Sequence, residues 1–349
     1  MPNSAASSAQ PLREAWYYAL AGKALSPGAM VAKKLLGEDI VLCRPRQGPA
    51  FALKDFCPHR GMPLRFGRFD GETIECCYHG WRFGSEGRCT KIPSLVDGQA
   101  LDPAKIRTRS YPAIERQGGI WIYFGDDSTG APPPPTAPSF AEDAAPSLYE
   151  SMRFSCGIDH AVVGLMDPAH GPFVHEAWWW RGRNSAHEKA KAFAPSEFGF
   201  TMTRHRPSSN SAAYKILGGV PETEIVFRLP GVRIEHVAVG RHALVNLTAV
   251  TPIDERATEI HHSIFWTMPW LSVLRPILRP FARKFLAQDR DIMAKQQLGL
   301  TGDPTLMLID DADTQAKWYY RLKREYAAAR AEKRRFENPV KPRTLRWKS

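Results

Sequence analysis

The chain has no uninterrupted apolar stretch of the ~18 residues that a membrane-spanning helix needs, so none is expected from its 349 residues. It is also poor in cysteine. The six (43, 57, 76, 77, 89 and 156) are too few and too unevenly spread for a disulfide framework, which points to a reducing, cytoplasmic setting. The segment from Met1 to Gln10 is Ala/Ser-rich and lacks the basic flank and apolar core of a secretory signal. There is no helix-turn-helix, finger repeat or RNA-recognition signature, which excludes a nucleic-acid module. There is no Gly-x-Gly-x-x-Gly on a strand-to-helix turn, so the chain brings no nicotinamide or flavin site of its own.

What is present is ordinary for a globular protein: 43% hydrophobic, 24% charged, and long enough for two domains. The charge is uneven. Of a net +11, Lys317 to Ser349 carries twelve Lys/Arg against three Asp/Glu, or +9. This reads as a solvated helix face and tail, or a docking surface for an acidic protein.

Residues 1–14 read as a disordered arm. Short β-like runs separated by turn signals such as Asp70-Gly71, Glu86-Gly87 and Gly118-Gly119 then fill 15–130. Residues 131–147, with Pro132 to Pro135, Pro138 and Pro146, read as a semi-rigid linker. Over 148–335 the pattern is mixed. A helical segment spans His160 to Ala177, and antiparallel strands lie between Phe198 and Thr267. Helices follow near Leu271 to Leu298 and Ala312 to Arg335. Residues 336–349 read as a basic tail. The fold class is α+β: an all-β first domain and an antiparallel-sheet-and-helix second domain.

The first domain carries Cys57-Pro58-His59 and, after sixteen intervening residues, Cys76-Cys77-Tyr78-His79. Two thiolates and two imidazoles can close a tetrahedral zinc site, or hold a 2Fe–2S cluster in which two His replace two Cys on one iron. Cys77 is a formal rival to Cys76, though spacing favours Cys76 and leaves Cys77 as a packed bystander. The second domain carries Asp167-x-x-His170-x4-His175. Asp167 and His170 share a helix face, and Gly171-Pro172 lets the chain turn His175 toward the same point. Two imidazoles and a carboxylate on one face of a metal describe the non-haem iron(II) oxygenase site.

Cys57-Pro58-His59-Arg60-Gly61 and Tyr78-His79-Gly80-Trp81 closely resemble the Rieske family. Met62 and Tyr78 stand where respiratory-chain Rieske proteins carry an extra disulfide. With the Asp167–His175 motif, the chain resembles the α subunits of Rieske non-haem iron oxygenases from Trp16 to about Tyr326. The resemblance implies a 2Fe–2S cluster on Cys57, His59, Cys76 and His79, and a catalytic domain of helix-grip type. It also implies mononuclear Fe(II) on His170, His175 and a late carboxylate.

Gln288-Asp289-Arg290-Asp291 matches the pattern of the vanillate-demethylase-like branch, which places that ligand at Asp289 rather than Asp291. Gln288 and Ala294 replace two acids of the pattern, and Val163-Gly164 stands where many relatives have Glu-Asn. Asp167 is expected to link His170 to a cluster histidine of the next subunit in a homotrimer, a catalytic role. The implied function is the terminal oxygenase of a multicomponent system. A separate NAD(P)H-dependent reductase or ferredoxin supplies electrons, and O2 hydroxylates or oxidatively demethylates a small aromatic or hydrophobic substrate. The alternatives are ring cis-dihydroxylation, or a non-enzymatic Rieske electron-transfer or redox-sensing protein.

Three features stay open at this level. Arg60, Arg65, Arg68, Arg82 and Arg88 crowd the ligand loops and form either a docking patch for an acidic donor or scattered solvated charges. Trp178-Trp179-Trp180 can line a pocket or a subunit contact. Ile264 to Leu286, with Arg275, Arg279 and Arg283, is expected to pack on its domain rather than lie on a membrane.

Overall fold

A computed structural model describes residues 10–175, 186–207 and 219–349. Trp178 to Trp180 lie outside the described residues. Two compact units are resolved, Arg13–Pro134 and one that contains Pro135–Ser349.

The first unit is all β, in three small antiparallel sheets. One holds β1 (Trp16–Ala21), β10 (Ala113–Arg116) and β11 (Gly119–Tyr123). A second holds β2 (Met30–Leu35), β3 (Glu38–Cys43), β4 (Phe51–Lys54) and β9 (Ser110–Tyr111). The third holds β5 (Arg68–Phe69), β6 (Ile74–Glu75), β7 (Arg82–Phe83) and β8 (Cys89–Lys91). Alternating side chains on these strands bury Val41, Leu53, Ile74 and Phe83 in one apolar core, joined by Leu64 from the turn at Leu64–Phe66. Cys43, Cys57, Cys76 and Cys89 belong to the same core.

The second unit is an eight-stranded antiparallel sheet. In chain order its strands are β12 (Leu148–Phe154), β13 (Glu188–Ser196), β14 (Gly199–His205), β15 (Glu222–Arg228), β16 (Val232–Val239), β17 (His242–Pro252), β18 (Thr258–Trp266) and β19 (Arg343–Lys348). In space the order is β12-β18-β17-β16-β15-β14-β13-β19. Helices α1 (Ile158–Met166), α2 (Gly171–Val174), α3 (Pro269–Val273), α4 (Arg275–Leu300) and α5 (Thr314–Ala331) accompany it. The α5 stripe packs Trp318 on Phe193 and Phe200, and Tyr319 on Phe227.

Residues 343–348, expected in a solvated tail, form the edge strand β19 against β13. Leu345 and Trp347 are apolar residues two apart, so they share a face and are buried, while Arg346 between them and the flanking Arg343 and Lys348 stay exposed. The Ile264–Leu286 stretch divides into the end of β18, then α3 and α4. Leu271, Leu274, Leu278 and Ala282 pack on Leu148, Ile264 and Trp266. Arg279 forms an ion pair with Glu150 on β12. Trp270, Val273, Ile277 and Phe281 are exposed. Within α4, at 100° per residue, Ile277 and Phe281 lie on the flank away from Arg275, Arg279 and Arg283. No described helix is long and apolar enough to cross a membrane.

Candidate metal centres

The first centre sits on two loops of the same construction. Cys57 N–H donates to Met62 O and Gly61 N–H to Cys57 O, at 2.8 and 2.9 Å. Cys76 N–H donates to Trp81 O and Gly80 N–H to Cys76 O, at 2.8 and 3.0 Å. Each loop closes through a glycine at positive φ, 72° for Gly61 and 69° for Gly80, a conformation that costs a side-chain-bearing residue energy. The sequence Cys-x-His or Cys-x-x-His followed by glycine is therefore a loop that turns back on its own ligands.

The side chains converge. Cys57 and Cys76 are buried, and Cys77 is exposed. The rings of His59 and His79 lie 4.5 Å apart, with Trp81 stacked on His59 at 4.5 Å and 4°. Burial, reinforced by the neighbouring Cys76, pushes the Cys57 thiol up to about 11, so binding a metal there must displace a proton. Desolvation and the charges of His59 and Arg60 hold His79 below its usual range. His79 Nδ1 is a fully buried ring nitrogen without a hydrogen-bond partner. An orphaned buried nitrogen on a loop that also carries the buried Cys76 fits a metal cluster.

The nearby arginines are largely committed. Arg65 pairs with Asp55 at 2.9 Å, Arg82 with Glu75 at 2.5 Å and Arg88 with Glu86 at 3.1 Å. Arg60 instead lies over the exposed Tyr78 ring.

The second centre is built by α1, α2 and α4. The α1 helix ends at Asp167, whose Oδ1 accepts the Ala169 N–H at 2.7 Å and shapes the turn into α2. His170 and His175 flank α2, and Asp289 comes from α4. Ligand atoms of these three residues all lie within 4.8 Å of one another. The two Nε2 atoms are 3.2 Å apart, and Asp289 Oδ1 is 3.1 Å from His175 Nε2 and 3.7 Å from His170 Nε2.

The other ring nitrogens are occupied. His170 Nδ1 donates to Asp167 O at 2.9 Å, and His175 Nδ1 donates to Gln288 Oε1 at 3.2 Å. These bonds place the Nδ1 protons and leave both Nε2 lone pairs aimed at one point. Burial alone would lower the His170 pKa, but Asp167 and Asp289 outweigh it and raise it, the mark of a site that favours positive charge. The donor set therefore fits a divalent metal. Asp291 is exposed and paired with its neighbour Arg290. The Asp167 carboxylate stands 3.6 Å from His170 Nδ1, farther than its own carbonyl.

Sequence reasoning missed Gln288 and Phe285. Phe285 stacks on His175 at 3.6 Å and 13°. The signal was their place on the Asp289 helix turn, three residues apart and thus on one face.

A cavity of about 320 Å³ reaches His170 and Asp289. Phe154, Val163, Ile260, Leu286, Ile292 and Met293 give it mainly apolar walls. Val163 and Gly164 both line it, and a Cβ on Gly164 would come within 3.0 Å of Met293 Cε. The departure from Glu-Asn thus shapes this wall.

Residues 15–112 match the Rieske 2Fe-2S domain family, and residues 161–329 match the vanillate O-demethylase oxygenase C-terminal domain. Each match falls on one of the two centres. The chain thus combines a Rieske 2Fe–2S domain with a vanillate O-demethylase-type oxygenase C-terminal domain.

Among sequence relatives, chlorophyllide a oxygenase of Chlamydomonas reinhardtii is 33% identical over 174 residues, 49% of this chain and 26% of the relative. The oxygenase component of chloroacetanilide N-alkylformylase from Rhizorhabdus wittichii is 33% identical over 169 residues, 48% of this chain and 47% of the relative. The chain thus spans between about a quarter and a half of these two relatives. The fold is shared with dicamba monooxygenase, a structure bound to dicamba, at a TM-score of 0.71 and 20% identity. That match covers 90% of this chain and 98% of the other.

Proposed function

We propose that the chain is the terminal oxygenase component of a multicomponent Rieske system. It hydroxylates or oxidatively demethylates a small aromatic or otherwise hydrophobic molecule. The observation that carries this reading is the pairing, in one chain, of a two-Cys, two-His loop pair with a two-His, one-Asp triad beside an apolar cavity. Cys57, His59, Cys76 and His79 would hold a 2Fe–2S cluster, and His170, His175 and Asp289 would hold iron(II). When bound, these groups supply one-electron transfer and dioxygen activation.

The chain's own contribution is placement. Gln288 and Phe285 fix the His175 ring, and the Asp167 carbonyl fixes His170. Phe154, Ile260 and Leu286 keep water from the face of the site where substrate lies. Asp167, part-exposed beside His170, is the residue placed to meet a cluster histidine of a neighbouring subunit in a trimer. Electrons come from a separate reductase or ferredoxin, with Arg60 and Arg68 the arginines placed to meet an acidic donor. Six cysteines with no disulfide among them fit a reducing compartment such as the cytoplasm.

A non-enzymatic Rieske protein would have no use for the converged triad. Purified protein, a surrogate reductase and NADH, tested against aromatic ethers, N-methyl compounds and steroids, give the test. Substrate-dependent oxygen uptake with a hydroxylated or demethylated product is expected. Reduction of the cluster without product from any class would contradict the reading.

A further inference from the structure

Polar side chains stand in a row on the sheet face that α1 and α4 cover. Ile260 on β18 marks this face, since it lines the cavity that reaches His170 and Asp289. Side chains two apart on a strand share a face, so His262 lies there too. On the neighbouring strand β17, Thr248 stands opposite His262, and Asn246 stands opposite Ile264. One strand further, Arg233 and Glu235 stand opposite Thr248 and Asn246 and pair with each other at 3.2 Å.

Two groups of this row have hydrogen-bonding capacity to spare. His262 Nδ1 is bonded to Thr248 Oγ1 at 2.8 Å. The residue is part-exposed, and its Nε2 has no partner among the described residues and is not closed off from solvent. Asn246 is part-exposed as well, and its side-chain amide has no partner among the described residues. Asn246 is the diagonal neighbour of His262, with Cα atoms about 7–8 Å apart and side chains within reach of one bridging group. Polar groups under a helical layer cost stability unless they are paired, so two left open toward one spot are explained by a ligand.

We propose that Asn246 and His262 bind a hydroxyl group of the substrate on the sheet side of the triad. Thr248 Oγ1 can donate to His262 Nδ1 or accept from it, which leaves Nε2 a donor or an acceptor. A hydroxyl both donates and accepts, and the Asn246 amide offers both roles, so the three groups pair in either arrangement. The proposal rests on the oxygenase reading and narrows its substrates to small, largely apolar molecules that carry a phenol or an alcohol.

The test compares 4-methoxyphenol with 4-methoxytoluene, in which a methyl replaces the hydroxyl. Binding to the iron-loaded protein with its cluster intact is measured by isothermal titration calorimetry. An unpaired hydroxyl would make the phenol the weaker ligand in an apolar site, so the wild type is expected to bind it at least as tightly as the methyl compound. The ratio of the two affinities is expected to fall about fivefold or more in His262→Leu and in Asn246→Leu. Comparing ratios removes any general weakening of binding, and iron content checks that each variant has kept its triad. The wild-type comparison stands without either variant. A wild type that prefers the methyl compound, no saturable binding of the phenol, or an unchanged ratio in either iron-loaded variant would overturn the proposal. A protein that makes product from aromatic ethers, N-methyl compounds or steroids yet shows no preference for the hydroxyl refutes only this contact. One that makes product from no compound refutes the oxygenase reading itself.

Discussion

At the scale of single residues, the triad depends on groups that never touch the metal. Gln288 is a neutral amide where the family pattern has an acid, and its Oε1 holds the His175 ring through Nδ1. Loss of such a partner commonly weakens metal binding about 10–100-fold. Gln288→Leu is therefore expected to lower Co(II) affinity at the triad by that order, while Gln288→Glu retains it. Competition with a chromophoric chelator reads the affinity, and an unshifted Gln288→Leu curve would show that His175 needs no such support.

His262 on β18 makes a pH prediction. Its Nδ1 is bonded to Thr248 Oγ1 at 2.8 Å. Burial, with Arg233 nearby, lowers its pKa to about 4 against the opposing pull of Glu235 and Asp289. The folded state thus favours the neutral ring more than the unfolded chain does, whose value is near 6.5. Its contribution is fully present above about pH 6.5 and is lost as pH falls toward 4, by at most about 3 kcal/mol. Urea unfolding at pH 7 and 4.5 should show a steeper acid loss for wild type than for His262→Gln; equal losses would remove His262 as the cause.

These residues also mark where sequence reading stops. The two Cys–His loops were legible because each is local, with Cys, His and glycine within a few positions. His170 and His175 were legible for the same reason. Gln288 and Phe285 were not, because their role appears only when α4 is laid against α2, a contact no local pattern encodes.

At the scale of elements, α1 must be held firmly, since its C-terminus launches both histidines. Asp159 on α1 is buried and accepts hydrogen bonds from Tyr319 Oη and Lys323 Nζ on α5, both at 2.6 Å. Removing one member of a buried pair strands the other charge and typically costs about 3–5 kcal/mol. Asp159→Ala is expected to destabilise the folded state by that amount in urea titration, and a loss under about 1 kcal/mol would mean the tie is dispensable.

Most strands and helices were readable from their periodicities, but β12, β13 and β19 were not. Alternating arginine and lysine made Arg343–Lys348 look like solvated tail, when Leu345 and Trp347 supply just enough apolar face to close the sheet edge. The packing of Ile264–Leu286 on its own domain was legible, and Arg279 turning back to Glu150 agrees with it.

At the scale of the whole molecule, the claim is that one chain houses two chemically distinct iron centres, with ligands from separate units. Iron and acid-labile sulfide per chain, measured on the wild type and on Asp289→Ala reconstituted in parallel, test it most directly. The account predicts about three irons and two sulfides for the wild type. It predicts about two irons and two sulfides for Asp289→Ala, with the visible cluster spectrum unchanged. Two irons in both proteins would leave the triad without its metal, and zinc without sulfide would contradict both centres.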